Sequence, residues 1–135
     1  MTQFSGKCLC GNIAFTADTD IKFIANCHCT DCRAATGSVY GTLLFVDEAA
    51  LKISGTPNLF KHVGDSGAKM EKLFCPDCGS QVFSRNSNRP NMMGVRAGVV
   101  AQAELIEPNR DVYMSSKLAS TPVNSDITAF EKMPV

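Results

Sequence analysis

Cys75-Pro76-Asp77-Cys78-Gly79 is the stretch on which the reading of this chain turns. Two residues between cysteines let both sulfurs point at one metal ion. The glycine after the second cysteine allows the tight backbone path that aims N–H groups at sulfur. The same spacing serves thioredoxin-like redox pairs, but those open a helix in a βαβ setting. Here strand-like runs lie on both sides, Lys69 to Phe74 before and Gln81 to Ser84 after, so a metal knuckle is the better reading. A knuckle supplies two thiolates and needs two more ligands.

Moving outward, Cys8-Leu9-Cys10-Gly11 supplies them. Both sulfurs converge only if the chain turns sharply, which Gly11 and Asn12 favour. Joined to the knuckle, Cys8, Cys10, Cys75 and Cys78 make a closed four-cysteine site. The remaining cysteines stand together in Cys27-His28-Cys29-Thr30-Asp31-Cys32. In extended chain Cys27 and Cys29 share a side and His28 points away. Cys32 falls on the first turn of a short helix predicted over Asp31 to Thr36, with Thr30 as its N-cap and Gly37 as its stop. The helix N-terminus and nearby Arg33 would favour thiolate. All seven cysteines are thus used, four and three, which is the ligand count of a closed structural zinc and of an open catalytic one. Other readings of the second cluster remain. His28 could close it as a fourth ligand, although its direction is wrong; water, a substrate thiol or a distant side chain could do so instead. Iron–sulfur binding wants one more cysteine, and a disulfide formed on oxidation would be damage or storage.

The rest of the chain reads as short strands. Ile13 to Ala17, Lys22 to Cys27, Tyr40 to Val46, Leu51 to Ser54, Leu59 to Val63, Met93 to Val100 and Asp111 to Met114 are the further candidates, with Gly94 and Gly98 marking bends or bulges. Beyond the helix at Asp31, only a turn at Asp47 to Ala50 is expected, so the fold class is mainly β with little helix. The length of 135 residues suits one domain, with a core over about 4–114 and a Ser/Thr-rich tail over 115–135 that either wraps the domain or is loose. Thirteen basic residues balance thirteen acidic ones, which argues against a nucleic-acid binder. No apolar run approaches the roughly 20 residues of a membrane span, and the N-terminus lacks a signal pattern. The expected compartment is the cytoplasm, where thiols stay reduced.

The sequence resembles the glutathione-dependent formaldehyde-activating enzyme family, also called the CENP-V/GFA domain. The matching elements are Gly6-Lys7-Cys8-Leu9-Cys10-Gly11, Cys27-His28-Cys29-Thr30-Asp31-Cys32-Arg33 followed by Gly37, and Phe74-Cys75-Pro76-Asp77-Cys78-Gly79-Ser80. The resemblance implies an Mss4-like, zinc-ribbon-type β fold of short antiparallel strands. It implies two zinc ions per chain, a structural one on Cys8, Cys10, Cys75 and Cys78 and a catalytic one on Cys27, Cys29 and Cys32. It also implies condensation of formaldehyde with glutathione to S-hydroxymethylglutathione, formally a carbon–sulfur lyase run in reverse. The implied partners are a small thiol such as glutathione and a small aldehyde.

The chemistry of an open zinc agrees with that role. A thiol entering the fourth position loses its proton to a site that favours thiolate. Three protein thiolates make the metal electron-rich, so activating a thiol is more natural there than polarising a carbonyl. No general base stands out. His28 reads best as a packed or surface histidine, Asp31 as a helix N-terminal charge, and Arg33 as a salt bridge, a solvated side chain or a carboxylate binder. His62, Lys61, Lys72, Arg85 and Arg96 have no pattern that singles one out. The chief alternative is a non-catalytic zinc module binding a protein or other ligand; the spare ligand position counts against it. A redox enzyme would need a nucleophilic cysteine outside the metal clusters, and none is left over.

Overall fold

In a computed structural model the chain is described from residue 1 to residue 134. Eleven strands and one α-helix are defined among these residues: β1 Thr2–Lys7, β2 Ala14–Thr19, β3 Phe23–Cys27, α1 Thr30–Thr36, β4 Gly41–Asp47, β5 Leu51–Ser54, β6 Asn58–Val63, β7 Lys69–Phe74, β8 Gln81–Asn86, β9 Met92–Arg96, β10 Arg110–Val112 and β11 Thr128–Ala129. The protein is mainly β, as its sequence leads one to expect. Three strands form a small antiparallel sheet in the order β1-β2-β5. The other eight form a second sheet in the order β11-β10-β3-β4-β9-β8-β7-β6. Its pairings are antiparallel except at one end, where β10 runs parallel to both β3 and β11.

The two sheets are held together by apolar side chains drawn from both. Phe4 of β1 and Phe15 and Ala17 of β2 meet Ile24, Leu44, Val46, Leu73, Val82, Phe83, Met93 and Val95 of the large sheet. Phe15 links the two layers, edge-on to Phe4 at 6.0 Å and to Phe83 at 5.5 Å between ring centroids. β2 alternates buried and exposed residues from Phe15 to Thr19, because its outer face meets solvent. β3 and β4 do not alternate so. The side of β3 and β4 opposite the core carries a second buried cluster of Phe23, Ala25, Cys27, Leu43 and Val112, joined by Cys32. This two-sided burial explains the nearly unbroken apolar run Leu43 to Val46.

Most strand boundaries fall within a residue or two of the sequence expectation, and the departures have local causes. The run Met93 to Val100 is a strand only to Arg96; the chain then tightens into a 3-10 turn over Ala97–Val99. Gly94 is no bulge. It pairs in register with Phe45 and with Ser84, and a side chain there would press on Leu43 and Phe45. The tail wraps the domain. β11 pairs with β10, and Phe130 and Met133 pack against the second cluster. Val135 lies outside the described residues.

Phe83 is fully buried at the junction of the layers. Phe83→Ala is expected to lower unfolding free energy by about 3–5 kcal/mol, read from denaturant melts of the metal-loaded protein.

Candidate metal centres and the adjoining cavity

The first cysteine cluster sits where two hairpin-like turns meet. Cys8 ends β1 and is fixed by two main-chain hydrogen bonds: its N–H donates to the Ile13 carbonyl at 2.9 Å, and its carbonyl accepts from the Gly11 N–H at 3.1 Å. The turn between β7 and β8 carries Cys75 and Cys78. The Cys75 N–H donates to Ser80 O, and Gly79, with φ of +76°, donates back to Cys75 O, both at 2.9 Å. The Asn12 amide reaches from one turn to the Asp77 carboxylate of the other at 2.6 Å. The four sulfurs then lie within 4.8 Å of one another. Cys8 and Cys10 are separated by 3.7 Å, and Cys10 and Cys75 by 3.6 Å. A tetrahedral zinc with sulfurs at ~2.3 Å needs sulfurs ~3.8 Å apart, so the spacing fits a shared ion. All seven cysteines are free.

The surroundings of this cluster favour thiolate. The Ile13 N–H donates to the Cys8 sulfur at 3.3 Å, and the Ser80 hydroxyl lies 3.2 Å from the Cys78 sulfur. Hydrogen bonding from Ser80, by side chain and main chain, brings Cys78 down to about 5. Cys10 is pushed up to about 12: the Asn12 main chain lowers it, but burial and the three neighbouring sulfurs outweigh that.

The second cluster is built by the end of β3 and the start of α1. Cys27, Cys29 and Cys32 lie within 4.8 Å of one another, and no fourth His, Cys, Asp or Glu joins them among the described residues. The N-cap of α1 is Cys29, not Thr30. Its sulfur accepts the Cys32 N–H at 3.2 Å, so the chain enters the helix one residue earlier than hydroxyl preference predicts. His28 points away from the sulfurs, as strand alternation requires. It is buried against Tyr40 at 4.9 Å between rings, with Nε2 3.1 Å from the Asp111 carboxylate of β10. That contact ties the cysteine loop to the parallel end of the large sheet.

Within the trio the sulfurs share protons unequally. Hydrogen bonds from Cys27 and then Cys29, followed by the charges of Arg96 and Lys72, hold Cys32 at about 2 against the opposing effect of burial. Cys27 is driven far above the thiol range, first by the bonds to Cys29 and Cys32 and then by burial. Cys29 is raised as well: its bond to Cys27 lowers it, but its bond to Cys32 and burial prevail. Buried sulfurs this close cannot all ionise without a cation among them. A thiophilic divalent ion is the chemical complement of such a set.

The trio lines a cavity of about 270 Å³. Its floor is the outer face of the large sheet, with Ala25, Leu43, Phe45, Lys72, Ser84, Gly94 and Arg96; Tyr113, Ser115 and Met133 close another side. His62 of β6 enters it with Nδ1 3.9 Å from Asp31 and a buried Nε2 that has no hydrogen-bond partner. Tyr113 stands in the left-handed region at φ of +57°. Burial, above all, raises its phenol further, which keeps the hydroxyl protonated at neutral pH. Several cations gather here that sequence spacing did not mark, because strands 40 to 70 residues further along the chain bring them. Arg33 is not among the residues that line the cavity. Arg85 is committed to Glu48 at 2.8 Å and Lys132 to Asp65 at 3.1 Å. Lys72 and Arg96 are in none of the ion pairs among the described residues. No helix among those residues is long and apolar enough to cross a membrane.

Comparison with known proteins gives these features a setting. Residues 3–116 match the family model described as glutathione-dependent formaldehyde-activating enzyme. The chain is similar to an uncharacterized lyase of Schizosaccharomyces pombe, at 26% identity over 87% of this chain and 82% of that protein. It is also similar to a Phaeosphaeria nodorum protein provisionally named a glutathione-dependent formaldehyde-activating enzyme, at 27% identity over 60% of this chain and 42% of that one. Among solved structures, a Rhodobacter sphaeroides protein superposes with a TM-score of 0.55 at 20% identity, covering 77% of this chain and 96% of that one. That likeness concerns the fold alone.

The two clusters are expected to respond differently to loss of a sulfur. Structural zinc contributes about 10–16 kcal/mol where folding and binding are one event, as much as a domain's whole stability of about 5–15 kcal/mol. Cys8→Ala or Cys75→Ala is therefore expected to abolish cooperative thermal unfolding. Cys32→Ala is expected to keep a cooperative melt and lose one metal equivalent by elemental analysis.

Proposed function

The chain belongs to the glutathione-dependent formaldehyde-activating enzyme family, and from that membership we propose a zinc-dependent carbon–sulfur lyase-type enzyme acting on adducts of a small thiol and a small aldehyde. Residues 1–135 serve as one zinc-binding domain. Cys8, Cys10, Cys75 and Cys78 would hold a structural zinc; Cys27, Cys29 and Cys32 would hold a catalytic one. The observation that carries this reading is the three-cysteine cluster opening on a cavity, with no fourth His, Cys, Asp or Glu beside it among the described residues. A purely structural site is normally closed.

Zinc bound to the trio would supply stabilisation of an incoming thiolate at its fourth position. The chain's own residues do the rest. Addition joins the thiol sulfur to the aldehyde carbon and moves the thiol proton to the carbonyl oxygen; cleavage reverses both changes. His62, with its unpartnered Nε2 in the cavity, is suited to carry that proton between sulfur and oxygen. The Asp31 carboxylate lies 3.9 Å from Nδ1, in the electrostatic neighbourhood of the ring but beyond hydrogen-bond reach. The apolar floor of Leu43 and Phe45 limits water around the adduct. Glutathione is the default thiol, and S-hydroxymethylglutathione the default adduct. The rim cations that could meet its carboxylates are Arg89 and Lys132, although Lys132 already has Asp65.

Two measurements test this. Titrating glutathione and simpler thiols into the zinc-loaded protein, with formaldehyde, should alter zinc X-ray absorption and give adduct turnover together. No change in zinc coordination with any thiol, and activity indifferent to Cys29→Ala, would favour a non-catalytic zinc module instead. His62→Gln is expected to reduce turnover by roughly 100-fold or more, with zinc content and thiol binding unchanged.

A further inference from the structure

Lys72 and Arg96 are the least expected residues in the cavity. Their exposures are 5% and 6%, and neither has an acidic partner among the described ion pairs. Every nitrogen of the Arg96 guanidinium is buried and without a hydrogen bond among the described residues. Leaving such groups unpaired costs several kcal/mol in general, and the carboxylates nearby are already engaged. Glu48 and Glu71 face Arg85, Asp65 faces Lys132, Asp111 faces His28, and Asp31, which lines the cavity, faces His62 at 3.9 Å.

Strand register fixes where these charges point. Lys72 of β7 is opposite Ser84 of β8, which is opposite Gly94 of β9. Arg96 follows two residues later on the same face, opposite Leu43 of β4. Gly41, two residues before Leu43, is opposite Cys27. A side chain at Gly41 would come within 2.7 Å of Arg96 Nη1 and 3.8 Å of Cys32 Cβ. The guanidinium therefore occupies the space that Gly41 leaves, beside the sulfur cluster.

We propose that Lys72 and Arg96 are specificity-determining residues that commit the three-cysteine centre to an anionic fourth partner, so that a thiolate is taken in preference to a neutral ligand. The inference rests on the reading of Cys27, Cys29 and Cys32 as a zinc site. A divalent ion on three thiolates carries one net negative charge. One buried cation balances it, and the second remains for an arriving anion. With water or imidazole in the fourth position the pocket keeps an unbalanced charge in a low-dielectric setting. With thiolate it is neutral. At the four-cysteine site, by contrast, the Ile13 N–H donates to the Cys8 sulfur and Cys10 is exposed to solvent.

The test is calorimetric titration of zinc-loaded full-length protein with 2-mercaptoethanol, whose only charge on binding is its sulfur, and separately with imidazole. Wild type, Arg96→Gln, Arg96→Lys and Lys72→Met are compared, with zinc content measured for each. Arg96→Gln and Lys72→Met are expected to weaken the thiol by roughly 10- to 100-fold, to leave imidazole unchanged or tighter, and to retain zinc. Arg96→Lys is expected to keep the preference for thiol, and with Lys72→Met it decides the matter if Arg96→Gln does not fold. Thiol binding unaffected in the neutral variants, or thiol and imidazole weakened alike, overturns the proposal alone. A wild type that binds no thiol at all overturns the lyase reading, and this inference with it.

Discussion

Successive side chains on a strand face opposite ways, and β3 and β4 are buried on both. Everything else in the molecule depends on that register. Seating Ile24, Leu44 and Val46 in the core between the sheets turns Ala25, Cys27 and Leu43 to the other face. The same pairing sets Gly41 opposite Cys27 and Arg96 opposite Leu43. A slip of one residue would bury the cysteine in the core and turn Ile24 and Leu44 toward the cavity. The hydrophobic effect, acting on one face, thereby positions the polar chemistry on the other.

How much of this was legible in the sequence depended on chain distance. The knuckle at Cys75 and Cys78 and the turn at Cys8 and Cys10 are local patterns, and ligand geometry within two or three residues can be read directly. Their meeting in space follows from ligand count alone. The mainly β fold was legible from short apolar runs between turn residues. What stayed hidden was the other wall of the cavity. Lys72, Ser84 and Arg96 look like ordinary alternating positions on three strands, and only the order β4-β9-β8-β7 brings them into line with Cys27 and Cys32. His62 was hidden for the same reason. The tail was undecided because β11, the one strand defined in it among the described residues, is two residues long, too short for any periodicity. Main-chain bonds such as Phe130 N–H to Asp111 O at 2.8 Å hold it in place.

The two sulfur clusters show how differently one side chain can be used. Four sulfurs, two of them buried in the main core, bring the turn after β1 up to the β7–β8 turn, and a metal ion shared by them would cross-link the two. In the cavity, three sulfurs lie on a single short segment and cross-link nothing distant. The Cys27–Cys32 segment is instead anchored from behind, by His28 against Asp111 and Tyr40. The cavity cluster is thus held by the fold, whereas the four-cysteine cluster, with a metal bound, would help to hold it. On its outer side the edge strand β6 leaves Phe60 59% exposed beside Leu59 and Val63, an apolar margin on an unpaired strand edge among the described residues.

Cys29 closes the amino end of α1 with the same sulfur that belongs to the trio. Serine and aspartate are the better caps by intrinsic preference, and either would suit the helix taken alone. Neither offers a soft donor to a thiophilic ion. Histidine would offer a donor but is no cap of choice. Position 29 therefore answers to two demands, a helix cap and a sulfur donor set, and cysteine meets both with one atom.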